Sequence, residues 1–354
     1  MDEGPASKKA KGFAEKDPNK KDLATLPEKI LLKIFSYLDL KSLNNCAMLC
    51  STLNNLSKSS CLYKSVHLKY NMSSHFLSSL VSKVSRPKHL FIEYKHQDEN
   101  TEDYSEFNQF VTLLLRKSGE HLESLRVESC RCEEVLNNIS ECTNLKKLGL
   151  YRCKGTFSTL SSLNRLQNLS LVLCHFLPKT VSELLHNNSN LIHVFLSSND
   201  NVDVNEVCEV LSQHNLDVRE LYLSEKKKLK AKGVKSLARL CDLRTLTLIN
   251  GPGSNWDPED SLEQVAAGCS KLEKLSIYGW RGLNDDNFIP ALHMFTQITE
   301  LDLRGTNITV KSCREAALTL PKLKLMDVIK CHRVKKSQLA KLQKDFSEIY
   351  IPLE

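Results

Sequence analysis

The chain has 354 residues, of which 41% are hydrophobic and 26% charged, and its formal net charge is +7. This composition excludes an intrinsically disordered or collagen-like chain, and it is sufficient for a packed core. No run of about 18 apolar residues is present, and residues 1–13 lack the apolar stretch of a secretory signal. We therefore expect a soluble protein of the cytoplasm and/or nucleus, with no membrane partner.

The 13 cysteines are scattered along the chain and form no CxxC pair. We expect reduced thiols, most of them buried as small hydrophobic residues, and no disulfide framework. The modest positive charge permits an acidic partner but does not predict a nucleic-acid-binding protein.

Residues 1–22 contain six lysines among scattered acids and show no hydrophobic period. Such a segment buries too little apolar area to offset its ordering entropy, so we expect a disordered basic tail. Its lysines form either a solvated tail or a nuclear-localisation patch. The short, mixed clusters favour the solvated tail, and the sequence leaves both interpretations open.

A helical block follows at residues 23–64. Pro27 is placed to occupy the first turn of a helix, with Glu28 near the positive end of its dipole. A second helix is expected to open at Lys41, and a third short element carries Leu53 and Leu56. Apolar residues of the first helix recur at helical spacing, at Ile30, Leu31, Ile34, Phe35 and Leu38.

The apolar positions of the first helix cover more than one stripe, so they cannot all face one small interior. Each one buried in a partner would contribute roughly 1.5–3 kcal/mol. This surplus is typical of a helix-mediated protein interface. Alternatively, the following domain covers it, and spacing alone does not decide between the two.

The segment LPEKILLKIFSYL, with the later pairs Leu49-Cys50 and Leu62-Tyr63, resembles the F-box motif. Leu53 and Tyr63 stand where that family usually has Trp, and both keep apolar bulk. The resemblance implies a three-helix unit that docks on a Skp-type adaptor, which bridges to a cullin-RING ligase. Carried over by position, the implied adaptor contacts are Leu26, Pro27, Ile30, Leu31, Ile34, Phe35 and Leu38.

Residues 65–354 repeat the fragment LxxLxLxxx about every 25 residues, within the range of 20–29 residues for leucine-rich repeats. Nine copies begin at Leu122, Leu145, Leu166, Leu191, Val218, Leu243, Leu272, Ile298 and Leu323. Weaker copies lie at residues 88–92 and 65–68. One repeat cannot bury its own face, so we expect about 10 repeats stacked into a curved solenoid.

Within each fragment, the fourth and sixth positions alternate inward on a short strand, and the ninth is a turn site. The stretches between fragments read as helices, for example residues 180–188, 204–213, 233–240, 261–269 and 310–318. We therefore predict an α/β fold with parallel strands on the concave side and helices on the convex side. The ninth position holds Cys130, Cys153, Cys174, Asn199 and Cys331. These cysteines fall one per repeat, which favours structural packing over metal or redox chemistry.

The cysteine-containing repeats resemble the ribonuclease-inhibitor-like class and the repeats of F-box/leucine-rich-repeat proteins. That resemblance implies the substrate-recognition subunit of an SCF-type ubiquitin ligase, which holds an unidentified protein substrate near the conjugating enzyme. It implies no catalysis by the chain itself and no cofactor.

The concave side of the strands is the expected substrate surface, because exposed aromatic and arginine side chains are typical of interface hot spots. The alternatives are that loops cover these rings or that the rings brace neighbouring strands. The residues predicted to bind the substrate are Arg126, Tyr151, Arg152, Phe195, Tyr222, Tyr278 and Arg304.

Two insertions interrupt the repeats. Residues 96–106 carry five acids ahead of a helix, where the helix dipole favours negative charge, so we expect a solvated face. Residues 250–260 contain Trp256 after a Gly-Pro-Gly turn. This loop either clamps a ligand at the concave rim or docks on the solenoid.

Enzymatic motifs are absent from the sequence: it contains no GxxxxGK[ST], GxSxG or HExxH, and no Cys/His set with zinc spacing. Arg131 between Cys130 and Cys132 is the one hint of an activated thiol. We therefore predict no catalytic residue and no metal site. Two rival functions are a leucine-rich-repeat scaffold or inhibitor acting without a cullin ligase, and a nucleic-acid-binding protein, which ranks last.

Overall fold

The computed structural model describes residues 26–95, 104–224, 229–249 and 258–352. These residues fall into two units, which divide between Leu62 and Tyr63. The predicted basic tail, the acids of the insertion at residues 98–103 and Trp256 lie outside the described residues.

The first unit contains three short helices, α1 (Glu28–Phe35), α2 (Leu40–Ala47) and α3 (Ser51–Ser57). Pro27 lies one position before α1, where its carbonyl accepts the backbone N–H groups of Ile30 and Leu31. Asp39 starts α2 because its carboxylate accepts the backbone N–H of Ser42 at 2.7 Å, which satisfies one of the free donors of the first turn. Both α1 and α2 contact α3.

The second unit is built on one parallel sheet of eleven strands in sequential order among the described residues. Its strands are β1 (Ser65–Lys69), β2 (His89–Glu93), β3 (Ser124–Glu128), β4 (Lys147–Tyr151), β5 (Asn168–Val172), β6 (His193–Ser197), β7 (Glu220–Ser224), β8 (Thr245–Ile249), β9 (Lys274–Tyr278), β10 (Glu300–Asp302) and β11 (Leu325–Asp327). Each of the eleven sequence fragments forms one of these strands, including the two weaker copies. The predicted solenoid of parallel strands and helices is therefore confirmed.

Helices connect the strands, and consecutive helices generally pack against one another. They are α4 (Ser74–Lys83), α5 (Ser105–Ser118), α6 (Glu133–Asn137), α7 (Thr180–His186), α8 (Val204–His214), α9 (Ala231–Ser236), α10 (Ser261–Gly268), α11 (Asp285–Leu292), α12 (Val310–Thr319) and α13 (Lys336–Asp345). None of the described helices is both long and apolar enough to cross a membrane.

The strands pair in register, so equivalent repeat positions form rows across the sheet. Leu125 of β3 pairs with Leu148 of β4, which pairs with Leu169 of β5. These leucines are at most 2% exposed, and they alternate along each strand with side chains that remain partly exposed. The fourth and sixth positions thus build the core, as their period of two predicts.

The repeat between β4 and β5 has no α-helix among its described residues. Its first positions, Leu145 and Leu166, lie 21 residues apart, the shortest step of the array. A single 3₁₀ turn, Leu160–Ser162, closes the repeat instead. A 3₁₀ turn needs fewer residues than a helix of two or more turns, so the short repeat can still connect β4 to β5.

The eighth repeat position adopts a left-handed backbone wherever it is described from β3 onward. It holds Ser129, Arg152, Leu173, Ser198, Gly279, Gly305 and Lys330, with φ between 53° and 78°. Gly279 and Gly305 accept this conformation without cost because they lack a Cβ. The strand has therefore ended at this position, and its side chains do not continue the alternation of the strand face.

Candidate functional site

The helical unit exposes a group of large apolar side chains. Ile30 and Ile34 lie four residues apart on one face of α1 and are 48% and 37% exposed. Tyr37, Met48 and Leu49 are 76%, 79% and 72% exposed. We call these five residues the helical apolar face, and they are a candidate surface for a partner because five large apolar side chains are exposed within residues 30–49.

Two of the seven predicted adaptor contacts are placed differently from the expectation. Leu31 and Phe35 are each 1% exposed and belong to the core, so their assignment as accessible contacts is corrected. The reason is the helical period: positions one residue from Ile30 and Ile34 point away from the exposed face. Leu26 and Leu38 are partly exposed and Pro27 is exposed, so these three remain predicted contacts.

On the concave face, the predicted side chains form three separate clusters. In the first, the guanidinium of Arg126 lies over the rings of Phe91 and Tyr151, 5.0 Å and 4.3 Å from their centroids. Its Nε also donates to the Glu128 carboxylate at 2.7 Å. The Tyr151 hydroxyl lies 2.9 Å from the Ser170 hydroxyl, which fixes the ring across two strands.

The second cluster is a pair of stacked rings on neighbouring strands. Phe195 and Tyr222 occupy paired positions of β6 and β7, and their centroids lie 4.0 Å apart at an interplanar angle of 9°. Phe195 nevertheless remains 38% exposed. These rings brace neighbouring strands, as one alternative proposed, and still present apolar surface to the concave side.

The third cluster surrounds Arg304. Its Nε and Nη2 donate to the two carboxylate oxygens of Asp302 at 2.9 Å and 2.8 Å, and its guanidinium lies 5.3 Å from the centroid of Tyr278. Burial acts to raise the pKa of Asp302, but hydrogen bonds from Arg304 and Ser276 outweigh it and lower that pKa. Asp302 is therefore an ionised partner of Arg304 at neutral pH.

Arg152 differs from the other predicted concave residues because it occupies the left-handed eighth position, with φ of 53°. It is exposed and forms no ion pair within the described part of the chain. The sequence pattern did not signal this change of direction at the end of the strand.

A pocket of about 260 Å³ opens beside the first cluster, over strands β3 to β6. Its lining includes Arg126, Lys147, Gly149, Tyr151, Asn168, Ser170, His193 and Phe195. Three predicted substrate residues thus share one pocket, whereas Tyr278 and Arg304 lie outside its lining. Lys147, Asn168 and His193 stand at the third repeat position, which faces the same side as the fifth.

Known proteins support both parts of this architecture. A chain of the yeast Rad7 and Elc1 complex is similar over 92% of this chain and 87% of that chain, with a TM-score of 0.58 at 16% identity. The F-box-like family model matches residues 23–69. Residues 23–69 therefore resemble an F-box, and the chain shares its fold with that chain of the yeast complex.

An internalin from Listeria monocytogenes is similar over 70% of this chain and 94% of that chain, with a TM-score of 0.36 at 16% identity. No curated protein sequence matches the chain.

The leucine-rich repeats use their ninth-position cysteines for packing. Cys153 and Cys174 are each 1% exposed, and their thiols donate to the carbonyls of Val127 and Leu150 in the preceding strand, both at 3.4 Å. Burial raises the pKa of Cys130 to about 12, in spite of the neighbouring Arg131. A thiol with such a pKa is a poor nucleophile, which argues against the activated-thiol interpretation.

The described residues contain no group of three or more His, Cys, Asp or Glu side chains arranged to hold a metal ion. The F-box and leucine-rich-repeat architecture is typical of non-catalytic receptors, and its repeat positions are occupied by packing residues. The two surfaces present apolar side chains, charged side chains and hydrogen-bonding groups, through which proteins recognise partners.

Proposed function

We propose that this chain is the substrate-recognition subunit of an SCF-type ubiquitin ligase. The F-box unit binds a Skp-type adaptor and, through it, a cullin-RING ligase, and the repeats bind the protein that is ubiquitinated. The chain itself catalyses no step: its contribution is to hold the substrate near the ubiquitin-charged enzyme. We expect the chain to act in the cytoplasm or the nucleus.

One observation supports the adaptor role most directly. Ile30 and Ile34 remain exposed on α1 although Leu31 and Phe35 already fill the core. Burying each exposed isoleucine against a partner would contribute roughly 1.5–3 kcal/mol. Tyr37, Met48 and Leu49 add aromatic and flexible apolar surface, the residue types that interfaces favour.

The yeast structure adds a second adaptor class to consider. The similar chain was crystallised in a complex of Rad7 and Elc1. An Elc1-like protein therefore stands beside a Skp-type protein as a candidate for the helical apolar face. The rival function, a scaffold or inhibitor without a ligase, predicts that neither adaptor binds.

The test measures adaptor affinity of the purified full chain by biolayer interferometry. The double variant Ile30→Glu/Ile34→Glu places two charges on the exposed face while leaving the buried residues of α1 in place. We expect the wild-type chain to bind a Skp-type adaptor and the double variant to bind about 100-fold more weakly, because two central apolar anchors are lost.

The matched control is Leu113→Glu/Leu318→Glu. These leucines are 50% and 64% exposed on α5 and α12, in the repeat unit, so the same chemical change occurs away from the F-box. The control should bind as the wild type does. If the wild-type chain binds an Elc1-like protein but no Skp-type adaptor, the ligase class would be reassigned. If both double variants bind the adaptor equally well, the proposed face would be refuted.

A further inference from the structure

The pocket on the concave face results from two small residues in one row. The fifth positions of β3 to β6 pair across the sheet in the order Arg126, Gly149, Ser170, Phe195. Neighbouring strands lie about 4.8 Å apart, so the strand positions of Arg126 and Phe195 are about 14 Å apart. The Tyr151 ring lies over Gly149 in this gap, and the space between that ring and Phe195 remains open. A Cβ at Gly149 would lie 2.9 Å from Cε2 of Tyr151, so the neighbouring ring occupies the space that a larger residue would need.

The walls of this pocket are held in place before any ligand arrives. Tyr151 is fixed by the Ser170 hydroxyl at 2.9 Å and by Arg126 over its ring. Phe195 is fixed by its stacking on Tyr222 at 4.0 Å. The volume of about 260 Å³ is below the 300–1,000 Å³ of typical small-molecule sites, so it suits one side chain of a longer ligand.

The charge of the pocket is one-sided. Its lining includes Arg126, Lys147 and His193, and none of the described residues that line it is Asp or Glu. His193 lies 3.0 Å from Glu220, and Arg126 is paired with Glu128. Lys147 is exposed and forms no ion pair in the described part of the chain, so its charge is available to a partner.

Arg152 adds a second available cation. It follows β4 directly, on the strand that carries Lys147 at its other end, and it likewise has no ion-pair partner among the described residues. A five-residue strand is about 17 Å long, so Arg152 lies about one strand length from Lys147, and it is not part of the pocket lining.

We propose that this pocket binds an acidic extended peptide, with one apolar side chain between Tyr151 and Phe195 and a carboxylate at Lys147. The inference deepens the proposed function, because the peptide would belong to the ubiquitinated protein. A long nucleic acid fits less well, since two carboxylates, Asp302 and Asp327, lie on the same face and pair with the single Arg304 of the third cluster.

The experiment selects ligands for the full chain from a phage-displayed library of random twelve-residue peptides. We expect recovered peptides to combine one aromatic or aliphatic residue with flanking Asp or Glu, with acids at least tenfold enriched over Lys and Arg. The best peptide, synthesised with a fluorophore, should bind the Lys147→Glu variant at least tenfold more weakly by anisotropy, because the local charge is reversed.

The matched control is Lys341→Glu, which makes the same charge change on α13 at another exposed lysine without an ion pair among the described residues. It should leave the affinity unchanged. A second variant, Ser170→Phe, fills the pocket and should abolish binding, with circular dichroism confirming its fold.

Recovery of no peptide, of peptides without an acidic excess, or of peptides that bind both lysine variants equally would overturn the inference. This assay contains no adaptor, so its outcome is independent of the adaptor test. Peptide binding without adaptor binding would support the peptide pocket and refute the ligase role. Adaptor binding without peptide binding would refute the peptide pocket and leave the ligase role standing.

Discussion

Asn199 shows at the scale of one residue what the ninth repeat position does. Its side chain donates to the carbonyl of Leu171 at 2.9 Å and accepts the backbone N–H of Cys174 at 2.9 Å. Cys153, Cys174 and Cys331 at this position make the equivalent of the first contact through their thiols. The position therefore ties each turn to the strand before it, and a small side chain with a hydrogen-bond donor suffices.

Thiol reactivity tests this structural role. Burial raises the pKa of Cys130 and of Cys142 to about 12, whereas Cys50, Cys61 and Cys241 are exposed. We expect iodoacetamide at pH 8 to label the three exposed cysteines of the native chain and to spare the two buried ones. Mass spectrometry of tryptic peptides reads the result, and fast labelling of Cys130 in the folded chain would contradict it.

Asp285 joins α11 to the start of α12. Its carboxylate accepts the backbone N–H of Thr309 at 2.9 Å, the Thr309 hydroxyl at 2.6 Å and the Ser312 hydroxyl at 2.5 Å. Burial acts to raise its pKa, but these hydrogen bonds outweigh burial and lower the pKa below the usual value of 3.8.

We expect Asp285→Asn to reduce the free energy of unfolding by about 1–3 kcal/mol at pH 7. A carboxylate with a lowered pKa stabilises the fold above its unfolded-state pKa and loses that effect as the pH falls through the folded-state pKa. The difference from wild type should therefore shrink below about pH 3.8, as measured by urea unfolding. The control, Asp286→Asn at the exposed neighbouring position, should show no such trend.

At the scale of the element, α1 divides its apolar residues between two functions. Leu31 and Phe35 are buried, whereas Ile30 and Ile34 are exposed on the same eight-residue helix. Because 3.6 residues make a turn, residues four apart share a face and adjacent residues do not. The helix can therefore support its own core and present a contact surface at the same time.

This division predicts opposite outcomes for neighbouring substitutions. Leu31→Ala or Phe35→Ala should lower the free energy of unfolding of the helical unit by about 2–5 kcal/mol, because each leaves a cavity. Ile30→Ala should change it by less than about 0.5 kcal/mol and should instead weaken adaptor binding. Hydrogen exchange of the amides in α1–α3 measures the first effect, and equal destabilisation by all three variants would contradict the assignment.

At the scale of the whole repeat unit, stability is shared between neighbouring repeats. An interior strand such as β5 pairs on both sides, with β4 and β6. Among the described residues, the three-residue β11 pairs with β10 and has on its other side only an isolated bridge from Leu325 to Tyr350. In repeat proteins, stability is close to a sum of nearest-neighbour terms. The end of the array should therefore open more readily than its middle.

Hydrogen exchange with mass spectrometry tests this expectation on the full chain. Amides of β5 should exchange at least tenfold more slowly than those of β11, because opening β5 disrupts two interfaces. Equal exchange in the two strands would show that the array opens as one cooperative unit.

Much of the fold followed from local patterns. Period-two leucines predicted each strand, because only alternating side chains can fill the space beneath a strand. The short step from Leu145 to Leu166 was visible in the sequence, but its consequence, a 3₁₀ turn in place of a helix, depends on the length available between two fixed strands. The left-handed eighth position had no clear sequence signal, because Ser, Arg, Leu, Gly and Lys all occupy it.

The sequence alone determined the three short helices followed by a parallel solenoid. The reason is that apolar residues at helical or period-two spacing share one face only when the segment forms a helix or a strand. Only the tertiary structure decided which apolar residues of α1 remain exposed and that Gly149 and Ser170 open a pocket between Tyr151 and Phe195. The reason is that exposure and cavity volume depend on residues from different repeats, and their side chains become neighbours only when the strands pair in register.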